Sequence, residues 1–224
     1  MRTGILFFGR QPAAEARAKN WTASRKQNLR LATALYNQSL NTIRASKIPY
    51  LHIDNEQQNG RNFNEKITKA LSDFFDSGMD HAIVVGSDCG DLQVSDLQRA
   101  AEAIAEGKNV TGATYDGGLY LFTLSKKDFD VYQLTALPWC SADLGKAFIE
   151  LVTSISGNEM IHLPKRVDVD ADLWAVRSAA GFSFSKLKQW INTLLSIPTI
   201  VTCNFTFSIT FFLSLSPLRG PPTN

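Results

Sequence analysis

Short apolar runs alternate with longer amphipathic segments along the first 178 residues of the chain. Six runs have the length and composition of strands: residues 4–8, 49–53, 81–86, 110–115, 119–124 and 160–163. Four segments repeat apolar side chains at helical spacing: residues 24–46, 63–75, 95–106 and 142–152. A last helix is expected to begin within residues 172–177. This alternation predicts an α/β fold, a Rossmann-like three-layer sandwich with a mostly parallel central sheet.

The most apolar strand candidate and the helix ends give more specific expectations. Residues 81–86 are apolar without alternation, which predicts a strand covered on both faces. Gly78 is expected to close the preceding helix. Ser95 with Gln98 three residues later is typical of a capping box and predicts a helix beginning at Ser95. In the helix over residues 24–46 the predicted apolar stripe consists of Leu29, Ala32, Leu35, Leu40 and Ile43.

Composition restricts the functional class and the compartment. The apolar fraction of 44% allows a packed core, and a net charge of only +2 argues against a nucleic-acid-binding protein. The basic residues within residues 17–30 are interpreted as the solvated face of a helix. Three widely spaced cysteines form neither a disulfide framework nor a zinc motif, so a reducing, cytoplasmic location is expected. The first apolar run is too short for a signal peptide.

The C-terminal part differs from the rest of the chain. Residues 189–218 contain no charged side chain. We therefore predict a nucleotide-sugar-binding domain over residues 1–180 and a C-terminal helix with an uncharged tail over residues 181–224. The tail is interpreted as a poorly structured addition to a complete domain. A membrane anchor, which is not favoured, and an extra docked element stay open as alternatives.

Two aspartates follow predicted strands, where ligands of open α/β sheets bind. Asp88 follows the strand at residues 81–86, with Gly86 and Gly90 on either side. A carboxylate at this place suits Mg²⁺ or Mn²⁺ bridged to substrate phosphates, and a turn in which Asp88 or Asp91 bonds its own backbone is the alternative. Asp116 precedes two glycines in a segment that also reads as a hairpin turn. Its functional interpretation is hydrogen bonding to sugar hydroxyls.

A third acidic group lies near the end of the predicted domain. Asp168 and Asp170 point to the same side of an extended segment, which is unfavourable unless a cation or a helix N-terminus neutralises them. Capping of the last helix by Asp170 or Asp172 is the structural alternative. We expect one aspartate to cap the helix and one to face the site.

The order of these motifs resembles a known family. Gly-Ser-Asp-Cys-x-x-Leu over residues 86–92, Asp-Gly-Gly-x-Tyr-Leu over residues 116–121 and a Trp-containing segment over residues 138–141 precede the Asp-Val-Asp element. Together with residues 60–66 they resemble the bacterial glycosyltransferase-like family associated with arsenosugar biosynthesis. That family belongs to the nucleotide-diphospho-sugar transferase superfamily, which has the glycosyltransferase-A fold. The resemblance covers roughly residues 5–176.

The resemblance implies roles for individual residues. Asp88 would hold the metal and diphosphate, and Asp168 or Asp170 would complete the metal site. Asp116 would line the sugar pocket together with Gly117 and Gly118, and Trp139 would shape the acceptor side. Asp88 and Asp116 are the catalytic candidates.

The chain departs from the family pattern in the loop after the first strand. Residues 10–19 lack the family's glycine, and their basic residues are displaced. Arg10, Arg17 and Lys19 are therefore the candidates for phosphate contact. Gly90 stands where proline is common, and the segment at residues 170–173 is two residues shorter than the usual ending.

These observations favour transfer of a sugar from a nucleotide-activated donor to a small-molecule acceptor, with Mg²⁺ or Mn²⁺. The protein would mainly position the reactants and stabilise the departing diphosphate. A nucleotidyltransferase is the first alternative, although residues 10–19 contain no glycine to cradle a triphosphate. A non-catalytic nucleotide- or sugar-binding module is the second. No nucleic-acid partner is expected.

Overall fold

The computed structural model describes residues 1–19 and 21–166, together with Val169, Gln189 and Thr193. The described part contains strands β1 (Thr3–Phe8), β2 (Tyr50–Ile53), β3 (His81–Val85), β4 (Asn109–Thr114), β5 (Leu119–Ser125) and β6 (Met160–Arg166). Its helices are α1 (Pro12–Ala18), α2 (Arg25–Ser46), α3 (Phe63–Asp76), α4 (Val94–Ala105), α5 (Val131–Ala136) and α6 (Leu144–Ser156). A short 3₁₀ turn spans Lys126–Asp128. The predicted helix at residues 172–177 lies outside the described residues, as does the predicted tail apart from Gln189 and Thr193.

The strands form one six-stranded sheet in the order β2-β1-β3-β5-β4-β6. Neighbouring strands are parallel except at β5, which is antiparallel to both β3 and β4. All six predicted strands are present, and the predicted α/β sandwich is confirmed. The reversed β5 brings the turn between β4 and β5 to the edge of the sheet at which β1 and β3 end. This arrangement positions the site described below.

The strand β3 lies inside the sheet, as its uninterrupted apolar run predicted. Ala82 and Val84 pack into one core cluster, whereas Ile83 and Val85 pack into another on the opposite face. Helices α3, α5 and α6 contribute to the first cluster, and α2 and α4 to the second. Helices therefore cover both faces of β3.

Helix caps explain where several elements begin. The Ser24 hydroxyl accepts a hydrogen bond from the Gln27 N–H, and the Asn62 side chain accepts one from the Glu65 N–H. The helix predicted to begin at Ser95 begins one residue earlier, at Val94. Its first turn is closed by the Asp96 carboxylate, which accepts from the Gln93 N–H at 3.1 Å. The predicted capping box of Ser95 and Gln98 is therefore wrong, because Gln93 and Asp96 occupy the equivalent positions two residues earlier.

The apolar stripe of α2 is also displaced from its predicted position. Leu29 is 44% exposed, whereas Leu31 is fully buried together with Leu35 and Ile43. The helix therefore turns a slightly different side to the sheet than the spacing from Leu29 indicated. Gly78, predicted to close α3, has a φ of +95° and donates its N–H to the carbonyl of Phe75.

None of the helices in the described part combines the length and the apolar composition that a membrane-crossing helix requires.

Candidate active site

A cavity of about 350 Å³ opens where β1 and β3 end and the turn between β4 and β5 approaches them. This volume lies in the range of small-molecule sites. One end of the cavity is charged, with Arg10, Glu15, Lys19 and Asp88 in its lining. The lining also includes an aromatic wall that contains Phe63 and Trp139, whose ring centroids lie 5.8 Å apart. The cavity therefore offers both charged and aromatic groups to a ligand.

Asp88 lies three residues beyond β3, and its half-buried carboxylate faces the cavity. A side-chain carbon added at Gly86 would stand 2.8 Å from Asp88 Oδ1, so the carboxylate occupies the space that glycine leaves open. The carbonyl of Asp88 accepts a hydrogen bond from the N–H of Val169 at 3.0 Å. Val169 also accepts a bond from the indole N–H of Trp21 at 2.7 Å. Val169, the central residue of the Asp-Val-Asp element, therefore lies next to the backbone of Asp88.

The basic residues after β1 are organised by a short helix that the sequence pattern did not predict. Pro12 opens α1, where its missing N–H leaves no hydrogen bond unmade. The helix places Glu15 between two cations: Arg10 Nη1 lies 3.3 Å from one carboxylate oxygen and Lys19 Nζ 3.9 Å from the other. Glu15 is only 8% exposed and lines the cavity. It is the main charged residue of the site that sequence reasoning missed.

Burial raises the pKa of Glu15, and the nearby charge of Asp88 raises it further. The positive charges of Lys19 and Arg10 act in the opposite direction and lower this pKa. Glu15 and Asp88 line the same cavity, and the two cations partly offset the repulsion between their carboxylates. The i, i+4 spacing of Glu15 and Lys19 was the available sequence signal for the pair.

The turn between β4 and β5 brings Asp116 and Gly118 to the cavity. The exposed Asp116 carboxylate accepts hydrogen bonds from the Thr114 hydroxyl and, at 3.3 Å, from the Gly118 N–H. Gly117 has a structural reason to be glycine: its φ is +94°, and an added Cβ would come within 2.0 Å of the Ala142 carbonyl oxygen. The turn is therefore packed tightly against the segment that leads into α6.

Trp139 forms part of the aromatic wall and is 9% exposed. Its indole N–H donates to the Leu134 carbonyl at 2.7 Å, which leaves the ring rather than the polar edge to contact a ligand. Ring centroids of Phe63 and Phe122 lie 5.8 Å and 5.9 Å from it. Phe63 is 39% exposed and adds an accessible aromatic ring to this wall.

A partly buried ionic cluster supports the loop that carries Asp88. Arg166 donates to both carboxylate oxygens of Asp96 at 3.0 Å and to Asp91 at 3.2 Å. The Asp91 carboxylate, for which a bond to its own backbone was the alternative, pairs with an arginine 75 positions away. The guanidinium also lies 5.9 Å from the centroid of the Tyr120 ring. This cluster ties the Asp88 loop to α4, β5 and β6.

The cavity brings together most of the residues predicted from the sequence. Those in its lining are Arg10, Lys19, Asp88, Asp116, Gly118 and Trp139. Arg17 is exposed and, like Gly117, is not part of the lining. The predicted metal ligands Asp168 and Asp170 lie outside the described residues.

A divalent metal fits the donors at the charged end. Within the described part, no group of three or more His, Cys, Asp or Glu side chains could hold a metal by itself. Magnesium, however, is usually held by one or two carboxylates together with substrate phosphates and water. The Asp88 carboxylate supplies a hard oxygen donor of this kind, next to cations that suit phosphate oxygens.

Comparison with known proteins agrees with this architecture. Residues 21–141, more than half of the chain, match the family described as "Uncharacterized protein conserved in bacteria (DUF2064)". The chain belongs to this family. No curated protein matches the chain significantly.

Among solved structures, a "putative nucleotide-diphospho-sugar transferase" from Desulfovibrio desulfuricans G20 is similar to this chain with a TM-score of 0.64. The two are 19% identical, and the alignment covers 87% of this chain and 97% of that one. This similarity confirms that the chain shares the fold of that structure, as predicted.

A more distant match is Rv0371c from Mycobacterium tuberculosis H37Rv, which is 15% identical with a TM-score of 0.44. The alignment covers 78% of this chain and 95% of that chain. A structure of the Rv0371C complex with manganese has a TM-score of 0.39, an identity of 12% and the same coverage. Both are too dissimilar to support conclusions about this chain.

Proposed function

We propose that this DUF2064 protein transfers a sugar from a nucleotide-activated donor to an acceptor, with the help of Mg²⁺ or Mn²⁺. The observation that carries the proposal is the charged end of the cavity, where the Asp88 carboxylate shares one lining with Arg10 and Lys19. A carboxylate for a divalent cation and two cations for phosphate oxygens are the groups that a metal-bound diphosphate requires.

The remaining cavity residues receive roles consistent with this reaction. Asp116 and Gly118 lie on the side of the sugar, where a carboxylate accepts hydrogen bonds from hydroxyl groups. The ring of Trp139 bounds the acceptor side. Asp168 and Asp170, which flank Val169 in the sequence, would complete the metal site. When bound, the metal would neutralise the departing diphosphate, and the protein would hold donor and acceptor in line.

A ligand screen tests the proposal directly. Thermal melting is measured with a panel of nucleotide-sugars and nucleoside triphosphates, each with Mn²⁺, with Mg²⁺ and with EDTA. A ligand at a hundredfold excess over Kd stabilises the native state by about 2.7 kcal/mol, which gives a clear shift. We expect at least one nucleotide-sugar to stabilise the protein, and only when a divalent metal is present.

Product analysis then distinguishes the reactions. Sugar transfer releases a nucleoside diphosphate, nucleotidyl transfer releases pyrophosphate, and a binding module releases neither. Asp88→Asn removes the charge and keeps the shape, so it should weaken metal-dependent binding by about tenfold or more while the melting temperature without ligand stays level or rises. Unchanged metal-dependent binding in this variant would contradict the proposed site.

A further inference from the structure

The charged end of the cavity contains two positive and two negative side chains. Arg10 and Lys19 are the cations that suit a diphosphate, and Asp88 is the carboxylate that suits a divalent metal. Glu15 has neither of these roles. It nevertheless lines the cavity between the two cations, at 3.3 Å from Arg10 and 3.9 Å from Lys19.

Glu15 cannot be regarded as an ordinary surface partner of these cations. An exposed glutamate four residues from a lysine contributes little to stability, because water screens the pair. Glu15 is instead 8% exposed and lines the same cavity as Asp88. Burial raises the pKa of the Glu15 carboxyl, and the negative charge of Asp88 adds to this effect. A buried carboxylate beside a second carboxylate is unfavourable for stability, which suggests that its charge serves the ligand site.

We propose that Glu15 is a specificity-determining residue that makes the site reject a metal-free diphosphate and accept the metal complex. This inference rests on the proposed function, since it concerns the same diphosphate end of the cavity. A diphosphate without metal meets two cations and two carboxylates, so repulsion by Glu15 and Asp88 opposes the attraction of Arg10 and Lys19. A divalent cation bound at Asp88 neutralises that carboxylate and reduces the charge of the diphosphate. The repulsion from Glu15 then becomes small.

Specificity of this kind comes from a repulsive group directed against the wrong ligand. The device would prevent free nucleotides or phosphates from occupying the site without the metal that the reaction needs. It predicts that removal of the Glu15 charge strengthens the binding of a metal-free anion. A glutamate that only held Arg10 and Lys19 in place would have the opposite effect.

The test uses pyrophosphate as the probe of the diphosphate end. Its Kd is measured calorimetrically on the full chain with EDTA and again with saturating Mg²⁺, for the parent and for Glu15→Gln. The selectivity is the ratio of the Kd with EDTA to the Kd with Mg²⁺. We expect Glu15→Gln to reduce this ratio about tenfold, because the Kd with EDTA falls while the Kd with Mg²⁺ changes little.

Two variants serve as controls: one keeps the charge at position 15, and the other removes a carboxylate far from the cavity. Glu15→Asp retains the charge and should retain most of the selectivity. Glu106→Gln removes an exposed carboxylate that pairs with Lys108 at 3.2 Å on the surface, and it should leave both Kd values unchanged. Glu15→Ala provides a second charge-removing variant, in which the same fall of the ratio is expected. Thermal melting confirms that each variant is folded.

Three outcomes would overturn the inference: a parallel loss of binding with and without Mg²⁺, an unchanged ratio in Glu15→Gln, and absence of pyrophosphate binding to the parent. The first would mean that Glu15 only holds Arg10 and Lys19. Failure of the proposed function is recognised separately. The protein would then show the expected pyrophosphate selectivity but neither bind nor turn over any nucleotide-sugar.

Discussion

Replacement of Gly86 by alanine offers a way to move the Asp88 carboxylate without touching its chemistry. The added Cβ would stand 2.8 Å from Asp88 Oδ1, whereas ordinary contact begins at 3.4 Å. The carboxylate oxygen must therefore move by about 0.6 Å. Among the described atoms outside its chain neighbours, Asp88 Oδ1 is the only one within 4 Å of the added carbon.

The effect on stability should be small. Gly86 does not have a φ in the left-handed region, and the atom that must yield is the end of a flexible side chain. Replacing glycine by alanine at a compatible position even stabilises by about 0.4–1 kcal/mol, because the unfolded chain loses freedom. We therefore expect a melting temperature equal to or slightly above that of the parent.

The effect on ligand binding should be large. Productive site geometry tolerates a displacement of about 0.5 Å, and a charge-assisted contact contributes about 1.5–3 kcal/mol. Gly86→Ala should thus weaken Mg²⁺-dependent binding of the nucleotide-sugar found in the screen by about tenfold or more. Isothermal titration calorimetry of the parent and the variant measures this difference.

A double-mutant cycle with Asp88→Asn decides whether the glycine acts through the carboxylate. If it does, Gly86→Ala should have little further effect once Asp88 has lost its charge. Equal losses in both backgrounds, or full affinity in Gly86→Ala alone, would refute the reasoning.

Three further variants test the fold. Gly112→Ala would place a carbon 2.3 Å from Cζ of the Tyr120 ring and should lower the free energy of unfolding by about 1–3 kcal/mol, measured by urea titration. Phe148→Ala removes a fully buried ring 4.6 Å from that of Phe122, and a loss below about 3 kcal/mol would contradict its core position. Burial lowers the pKa of His52 from 6.5, so the unfolded chain binds its proton first and stability should fall as pH drops below that value. His52→Phe should reduce this slope in denaturation curves recorded over a pH series.

The strands and the long helices followed from the sequence because their signals are local. A strand such as β3, which is apolar on both faces, must be covered on both faces to keep its side chains out of water. Asp88 closely follows this strand in the sequence, so its position at the end of the sheet could be predicted. The short helix α1 lacks such a signal, since its seven residues include no apolar stripe. Helix α4 begins one residue before the predicted start because the Asp96 carboxylate accepts a hydrogen bond from the Gln93 N–H. Several polar side chains in this segment are suited to capping, so the sequence alone does not identify the one that is used.

The features of the site that the sequence did not predict depend on contacts between distant parts of the chain. The sequence of α1 does not predict that Glu15 is buried, because the helix has no apolar face that would orient it. The burial depends on the position of α1 at the end of β1, next to the cavity. The pairing of Asp91 with Arg166 joins residues that are 75 positions apart, so no local sequence pattern predicts it. The sequence offered two explanations for Gly117, a hairpin turn and a sugar pocket. The close approach of the Ala142 backbone explains why this position is glycine, and it requires no ligand.

The ionic cluster around Arg166 restricts how this protein can diverge. Removal of either partner of the Arg166–Asp96 pair leaves a largely buried charge without its partner and typically costs about 3–5 kcal/mol, whereas joint replacement by apolar residues of similar volume is often neutral. Variants that lose only one of these residues are therefore the least stable. We expect relatives to retain or to lose Arg166, Asp91 and Asp96 together. A homologue without the arginine should also lack both acids and should hold the loop that carries Asp88 by apolar packing instead.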